Sequence, residues 1–167
     1  MKAKAAFLDR DGVLIVDSGY PHKAEDLVFI DAAAAAIRRL RHAGFHIVVV
    51  TNQSGVARGL FTLDQMHAFH TLMRERLAAD GADIDAIYTC PYLPDAPVAE
   101  FSHPNHPDRK PNPGMVLRAI ADLDLDPDRS ILIGDKDSDM EAARRAGVTG
   151  ARFHGGDLDA FVAMLAM

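Results

Sequence analysis

The chain has 167 residues, of which 49% are hydrophobic and 25% charged, a composition typical of a soluble globular protein with a full hydrophobic core. Its net charge of −6 argues against a nucleic-acid scaffold, which would normally carry a basic surface. The single cysteine excludes an intramolecular disulfide, as expected in the reducing cytoplasm. No apolar segment approaches the roughly 20 residues of a membrane-spanning helix, and we expect no signal peptide, since charged residues at the start lead directly into the first apolar run. We therefore expect a single cytoplasmic domain over residues 1–167, monomeric and binding neither membrane nor nucleic acid.

The first predicted strand ends at two carboxylates. Residues 5–8 are apolar without alternation, as in a strand buried on both faces of a parallel sheet, and Asp9 follows directly. Asp9 and Asp11 are two residues apart and can face one ligand, while Gly12 permits a sharp turn. Adjacent carboxylates repel each other unless a cation compensates, so this pair predicts a Mg²⁺ site that also binds phosphate. Taken alone, the motif is more commonly a solvated turn after a strand.

Two further apolar runs end in oxygen-bearing side chains. Residues 46–50 lead into Thr-Asn-Gln-Ser-Gly at 51–55, and residues 130–134 lead into Asp-Lys-Asp-Ser-Asp at 135–139. Parallel topology brings the carboxyl ends of buried strands to one edge of the sheet, where ligands bind. We therefore expect the three segments to meet in one site.

Helical patterns alternate with these strands. Asp31 is the predicted N-cap of a helix to His42, and Thr62 and Gln65 have the spacing of a capping box for a helix to about Ala79. The later predicted elements are a strand at 84–89, a helix from Pro113 through Leu123, a helix capped by Asp137 or Ser138 and ended by Gly147, a strand at 148–153 and a helix at 157–165. This alternation predicts an α/β fold, a doubly wound parallel sheet with helices on both faces.

Residues 90–113, here called the proline-rich loop, contain seven prolines and two histidines without helical or strand periodicity. Loops this long in compact domains are usually functional or disordered. We expect this loop to cover the site.

Four motifs, in this order, resemble the haloacid dehalogenase superfamily of phosphatases. They are residues 9–12, 51–55, 109–115 and 134–139. The resemblance covers essentially the whole chain and implies a Rossmann-like fold of haloacid dehalogenase type without a separate cap domain. Within the superfamily, the chain looks most like the heptose 1,7-bisphosphate 7-phosphatases and the histidinol-phosphate phosphatases.

The resemblance implies a role for each matched residue. Asp9 would be the nucleophile that forms an aspartyl-phosphate, and Asp11 the general acid and base. Mg²⁺ would be held by the Asp9 carboxylate, the Asp11 main-chain carbonyl and Asp135. Thr51 and Lys110 would bind phosphoryl oxygens. The substrate-binding rim would consist of Asn52, Gln53, Ser54 and Arg109.

Each of these residues also has a purely structural interpretation. Lys110 and Arg109 could be surface charges before a helix, and Thr51 could cap a strand end. For three residues of the last motif we favour that interpretation, as solvated charges, and these are Lys136, Asp137 and Asp139.

The proline-rich loop departs from the pattern of the heptose phosphatases, which carry a zinc site built from a Cys-x-His pair and a Cys-x-Cys pair. Tyr92 occupies the histidine position, while His106 and Asp108 occupy those of the two later cysteines. Zinc accepts Cys, His and Asp ligands, so Cys90, His103, His106 and Asp108 could rebuild a four-ligand site. Alternatively, the loop has lost its metal and relies on its prolines for rigidity.

The leading hypothesis is a Mg²⁺-dependent phosphatase for the 7-phosphate of D-glycero-D-manno-heptose 1,7-bisphosphate, in heptose biosynthesis for lipopolysaccharide or capsule. Histidinol phosphate is the alternative substrate. A non-catalytic phosphosugar-binding protein is a third hypothesis. The presence of the full set Asp9, Asp11, Lys110 and Asp135 argues against it, because binding alone requires neither a nucleophile nor its acid partner.

Overall fold

A parallel five-stranded sheet forms the centre of the computed structural model. The structure describes residues 1–165, so the last two residues of the predicted domain lie outside the described part. The strands are β1 (Lys4–Leu8), β2 (Phe45–Asn52), β3 (Ala86–Cys90), β4 (Ile131–Gly134) and β5 (Thr149–Arg152). Their order in the sheet is β3-β2-β1-β4-β5. The chain thus builds outward from β1 to β3 and then restarts on the other side with β4. This confirms the doubly wound fold and places its switch point between β1 and β4.

Helices cover both faces of the sheet. They are α1 (Ala33–His42), α2 (Leu63–Ala79), α3 (Gly114–Asp122), α4 (Asp137–Ala146) and α5 (Leu158–Ala163). Alternate residues of β1 and β2 pack into two separate apolar layers, one against α1, α2 and α5 and the other against α3 and α4. Both faces of these two central strands are therefore largely buried, which explains why their sequences are apolar without alternation.

The start of α2 is as predicted, but two other predicted caps are wrong. Gln65 N donates to Thr62 Oγ1 at 3.1 Å and Thr62 N donates to Gln65 Oε1 at 2.8 Å, forming the expected capping box. Asp31 does not cap α1, because Ala32 intervenes in a left-handed conformation (φ 61°) at the N-cap position. The N-cap of α4 is Lys136, one residue before the predicted positions.

α2 packs against the sheet through one apolar face. Met66, Phe69, Met73 and Leu77 are all buried. This apolar face fixes α2 against the sheet and so fixes the direction of every other side chain on the helix. Within residues 1–165, no helix combines the length and apolar character needed to span a membrane.

Candidate active site

The sheet register brings the predicted motifs together. Leu8 of β1 pairs with Val49 of β2 and with Ile133 of β4. The residues that follow these three strands therefore lie side by side at the switch point, where the parallel fold leaves a crevice.

Lys110 reaches into this crevice from the proline-rich loop. Its Nζ lies 3.1 Å from Asp9 Oδ1 and 2.7 Å from Asp139 Oδ1, and it donates to the carbonyl of Val50 at 2.9 Å. The Asn52 side chain fixes the Lys110 backbone, since Asn52 Nδ2 donates to the Lys110 carbonyl at 3.1 Å and Lys110 N donates to Asn52 Oδ1 at 3.0 Å. The loop is thus attached to β2 next to Asp9.

Burial gives this group of charges unusual protonation properties. Burial raises the pKa of Asp9 to about 7, with Asp139 adding to the shift and Lys110 opposing it. Burial alone would lower the pKa of Lys110, but attraction to Asp9 and Asp139 outweighs it, and the net shift is upward. Lys110 therefore keeps its positive charge beside Asp9.

Asp139 lies at the centre of this site, and the prediction that it is a solvated charge is wrong. It is 1% exposed, and its Oδ2 accepts hydrogen bonds from the main-chain N–H groups of Asp135 and Lys136, both at 3.1 Å. A Cβ at Gly134 would overlap the Asp139 side chain, so the small residue before the motif makes room for it. The spacing Asp135-x-x-x-Asp139, across the first turn of a helix, was the available signal. Asp137, by contrast, lies on the surface as expected, with a side chain that is 99% exposed and pairs with Arg152.

Three carboxylates form a candidate metal centre. Oxygens of Asp9, Asp135 and Asp139 lie within 4.8 Å of one another, the one such convergence of His, Cys, Asp or Glu donors in residues 1–165. Asp135 Oδ1 is buried without a hydrogen-bond partner. Gly12 (φ 84°) leaves space for this carboxylate, because a Cβ there would overlap it. Buried carboxylates this close repel each other, and a hard divalent cation such as Mg²⁺ fits both their charge and their oxygen donors.

Asp11 and Thr51 share a hydrogen-bond donor. Gln53 Nε2 donates to Thr51 Oγ1 at 2.8 Å and to Asp11 Oδ2 at 3.3 Å. On its other side, Asp11 accepts from Arg10, a fully buried residue to which the sequence analysis gave no role. The Asp11 side chain is 19% exposed and can still reach a ligand.

A cleft of about 480 Å³ opens above these groups. The four predicted rim residues line it, namely Asn52, Gln53, Ser54 and Arg109, and Lys110 lines it as well. Its wall also includes Asp17, Tyr20 and two cations without a predicted role, Arg58 and Lys136. The Arg58 guanidinium lies 5.5 Å from the centre of the Tyr20 ring and its Nε donates to the Ser54 hydroxyl at 3.4 Å. The cleft therefore presents several positive charges to a ligand.

The four predicted zinc ligands do not converge in this structure. The Tyr92 ring stacks on His106 with 4.0 Å between centroids and 5° between planes, and His103 packs edge-on against His106 at 5.1 Å. Asp108 instead pairs with Arg118 at 3.0 Å. The zinc prediction therefore rests on the sequence.

Comparisons with known proteins identify relatives of this chain. A model of the HAD-hydrolase-like family matches residues 108–159. The D-glycero-beta-D-manno-heptose-1,7-bisphosphate 7-phosphatase of Yersinia pestis is 48% identical over 86% of this chain and 76% of that protein. The protein of the same name from Rhodopseudomonas palustris is 44% identical over 95% of this chain and 87% of that protein.

A solved structure shares the whole architecture. The D,D-heptose 1,7-bisphosphate phosphatase of B. bronchiseptica, complexed with magnesium and phosphate, superposes with a TM-score of 0.80 at 34% identity, covering 98% of this chain and 88% of that chain. Similarity of this extent, over most of both chains, establishes common ancestry as well as a common fold. The chain therefore belongs to the HAD-like family of phosphatases, which are phosphoric monoester hydrolases.

Proposed function

We propose that this protein is a Mg²⁺-dependent phosphatase that removes the 7-phosphate of D-glycero-D-manno-heptose 1,7-bisphosphate. The observation that carries the proposal is the buried group of Asp9, Lys110 and Asp139 at the base of a cleft with a cationic rim. The relatives from Yersinia pestis and Rhodopseudomonas palustris carry the name of this activity. We also expect the protein to act as a cytoplasmic monomer.

The chemistry follows from the residues at the strand ends. Asp9 attacks phosphorus while Asp11 protonates the departing sugar oxygen, which gives an aspartyl-phosphate and the free alcohol. Asp11 then takes a proton from the water that attacks this intermediate, and phosphate is released. Lys110 and Thr51 bind the phosphoryl oxygens and hold them in line.

The carboxylates that fit a cation have a clear place in this scheme. Asp9, Asp135 and the Asp11 main-chain carbonyl would hold Mg²⁺, with Asp139 supporting Asp135 and Lys110. When bound, the ion offsets the negative charge of the carboxylates and the phosphoryl group.

The cleft favours a substrate with a second phosphate. Arg109 and Arg58 line it together with Lys136. Guanidinium groups bind phosphate through paired, charge-assisted hydrogen bonds, so a bisphosphate gains contacts here that a monophosphate lacks. Histidinol phosphate would instead bring a cationic amino group into a cleft that already carries several cations, which makes it the second candidate.

Phosphate release with Mg²⁺ tests the proposal. The substrates are both anomers of the heptose 1,7-bisphosphate, histidinol phosphate and a panel of sugar monophosphates, with Asp9→Asn as the inactive control. We expect the highest kcat/KM for one heptose bisphosphate anomer. A higher value for histidinol phosphate would replace the proposed substrate. Ligand binding without turnover would support the phosphosugar-binding alternative.

A further inference from the structure

Arg10 lies between the two site carboxylates in sequence, yet its side chain is completely buried. Its Nε donates to Asp11 Oδ1 at 2.8 Å and its Nη2 donates to Asp11 Oδ2 at 3.2 Å. This is a two-pronged contact between a planar guanidinium and a planar carboxylate, and it fixes the rotation of the carboxylate as well as its distance. The Asp11 side chain is thus clamped by its own sequence neighbour.

The clamp is itself fixed by α2. Arg10 Nη1 lies 3.0 Å from His70 Nε2, and the Arg10 guanidinium stacks 4.9 Å from the ring centre of Phe69. A guanidinium has no acceptor, so His70 Nε2 must accept this hydrogen bond and the ring proton must lie on Nδ1. Burial, together with the charge of Arg10, lowers the pKa of His70 to about 3, which keeps the ring neutral at any assay pH.

We propose that His70 and Arg10 are positioning residues for the phosphatase reaction, forming a buried hydrogen-bond relay from α2 that holds the Asp11 carboxylate in its working orientation. The proposal rests on the proposed function only in that Asp11 transfers the protons. For these transfers the Asp11 carboxyl must lie within hydrogen-bond distance of the leaving oxygen in the first step. In the second step it must lie equally close to the attacking water. Asp11 lies on a partly exposed turn, where its other side-chain donor, Gln53 Nε2, contacts one carboxylate oxygen at the longer distance of 3.3 Å.

A purely structural role is the competing explanation. Arg10 Nη2 also donates to the carbonyl of Pro21 at 3.1 Å, so it anchors the segment after β1 that carries Tyr20 to the cleft. Loss of that anchor would lower stability and raise KM. It would not distinguish substrates by their leaving groups, whereas misplacement of the general acid would.

The test compares two substrates that differ in their need for protonation. A sugar phosphate releases a basic alkoxide, but p-nitrophenyl phosphate releases a stable phenolate without an acid. Arg10→Lys keeps the positive charge but loses the two-pronged contact to Asp11. His70→Leu removes the hydrogen-bond acceptor for Arg10. His70→Gln restores an acceptor, because its amide oxygen can lie near the position of Nε2. Arg74→Lys is the matched control, since Arg74 is half-buried on the same helix and donates to the Ile84 carbonyl.

Arg10→Lys and His70→Leu should lower kcat/KM for the sugar phosphate about tenfold more than for p-nitrophenyl phosphate, within the range that general acid catalysis contributes. His70→Gln should recover most of the loss, and Arg74→Lys should leave both substrates unchanged. Equal losses on both substrates would overturn the proposal in favour of the structural role. If the heptose bisphosphate proves inert, the best sugar phosphate of the panel takes its place, which separates failure of the proposed substrate from failure of the relay.

A measurement without substrate completes the test. In ¹⁵N spectra of arginine side chains, the clamp should restrict rotation about the Arg10 Nε–Cζ bond and give separate Nη signals. These signals should exchange faster in His70→Leu, which loses the Nη1 contact, than in His70→Gln. Merged Arg10 signals in the unaltered protein would contradict the relay whatever the activity data show.

Discussion

The Lys110 ammonium contacts the Asp9 carboxylate at 3.1 Å, and neither side chain is more than a tenth exposed. One residue comes from the proline-rich loop and the other from the end of β1, so the active centre forms only when the loop folds onto the sheet. The structure of the loop and the charge balance of the site are therefore coupled.

Replacing Lys110 should damage both stability and activity. Lys110→Met leaves the buried carboxylates of Asp9 and Asp139 without their cation, which should cost about 3 to 5 kcal/mol in the free energy of unfolding. Turnover should fall below detection because the phosphoryl oxygens lose the positive charge of Lys110. Urea denaturation and phosphate release measure the two effects. The control is Lys2→Met, whose exposed pair with Asp124 should contribute less than about 1 kcal/mol.

Asp139 should control Mg²⁺ affinity, whereas its neighbour in the same acidic run, Asp137, should not. Asp139→Asn turns an oxygen near Lys110 and the metal centre into an amide, so Mg²⁺ affinity should fall about 10- to 100-fold. Calorimetric titration of the metal-free protein measures this change. The matched control is Asp137→Asn, two residues away and solvated, which should bind Mg²⁺ normally. Equal affinities for both variants would remove Asp139 from the metal centre.

The pKa of Asp9 predicts a specific dependence of stability on pH. Because burial raises this pKa from 3.8 to about 7, the native state retains a proton that the unfolded state has already lost. The contribution of Asp9 to stability is therefore fully present below pH 4 and is lost as pH rises to about 7. In metal-free protein, the difference in unfolding free energy between the unaltered protein and Asp9→Asn should change across this interval. A difference independent of pH would contradict the raised pKa.

Mg²⁺ should reverse this loss, because the ion binds the ionised carboxylate. The increase in melting temperature on adding Mg²⁺ should be larger at pH 8 than at pH 5 in the unaltered protein. In Asp9→Asn the increase should be smaller and should vary less with pH. Calorimetric scans of both proteins at both pH values provide the measurement.

Zinc analysis separates the two alternatives for the proline-rich loop. Because Tyr92 stacks on His106 and Asp108 pairs with Arg118, we expect well under one zinc per chain after purification, and no change in melting temperature with a zinc-selective chelator. Tyr92→Ala should lower stability by about 1 kcal/mol or more through loss of the stack. One zinc per chain, lost in Cys90→Ser together with stability, would instead establish the predicted zinc site.

The fold and the placement of carboxylates at the ends of two strands could be predicted because their signals are local. Unbroken apolar runs identify buried strands, and Asp9 and Asp135 follow such runs directly. The Thr62 capping box depends on residues three apart, and it forms as predicted. Asp31 shows where local rules fail, because the backbone conformation of Ala32 displaces it from the helix start.

The supporting residues could not be predicted because their roles depend on contacts that are distant in sequence. His70 lies beside Phe69 on α2, and only the packing of that helix brings its ring to Arg10. Arg10 itself looks like a surface charge until the segment after β1 covers it. Asp139 is one of three acidic residues in a short run, and only its hydrogen bonds to the turn before α4 distinguish it.

Trapping the phosphorylated enzyme tests directly whether Asp9 is the nucleophile. Protein quenched during turnover and reduced with borohydride would convert an aspartyl-phosphate to homoserine, which peptide mass spectrometry locates. We predict homoserine at position 9 alone, and none in Asp9→Asn or without Mg²⁺. Modification at Asp11 or Asp135, or turnover that persists in Asp9→Asn, would contradict it.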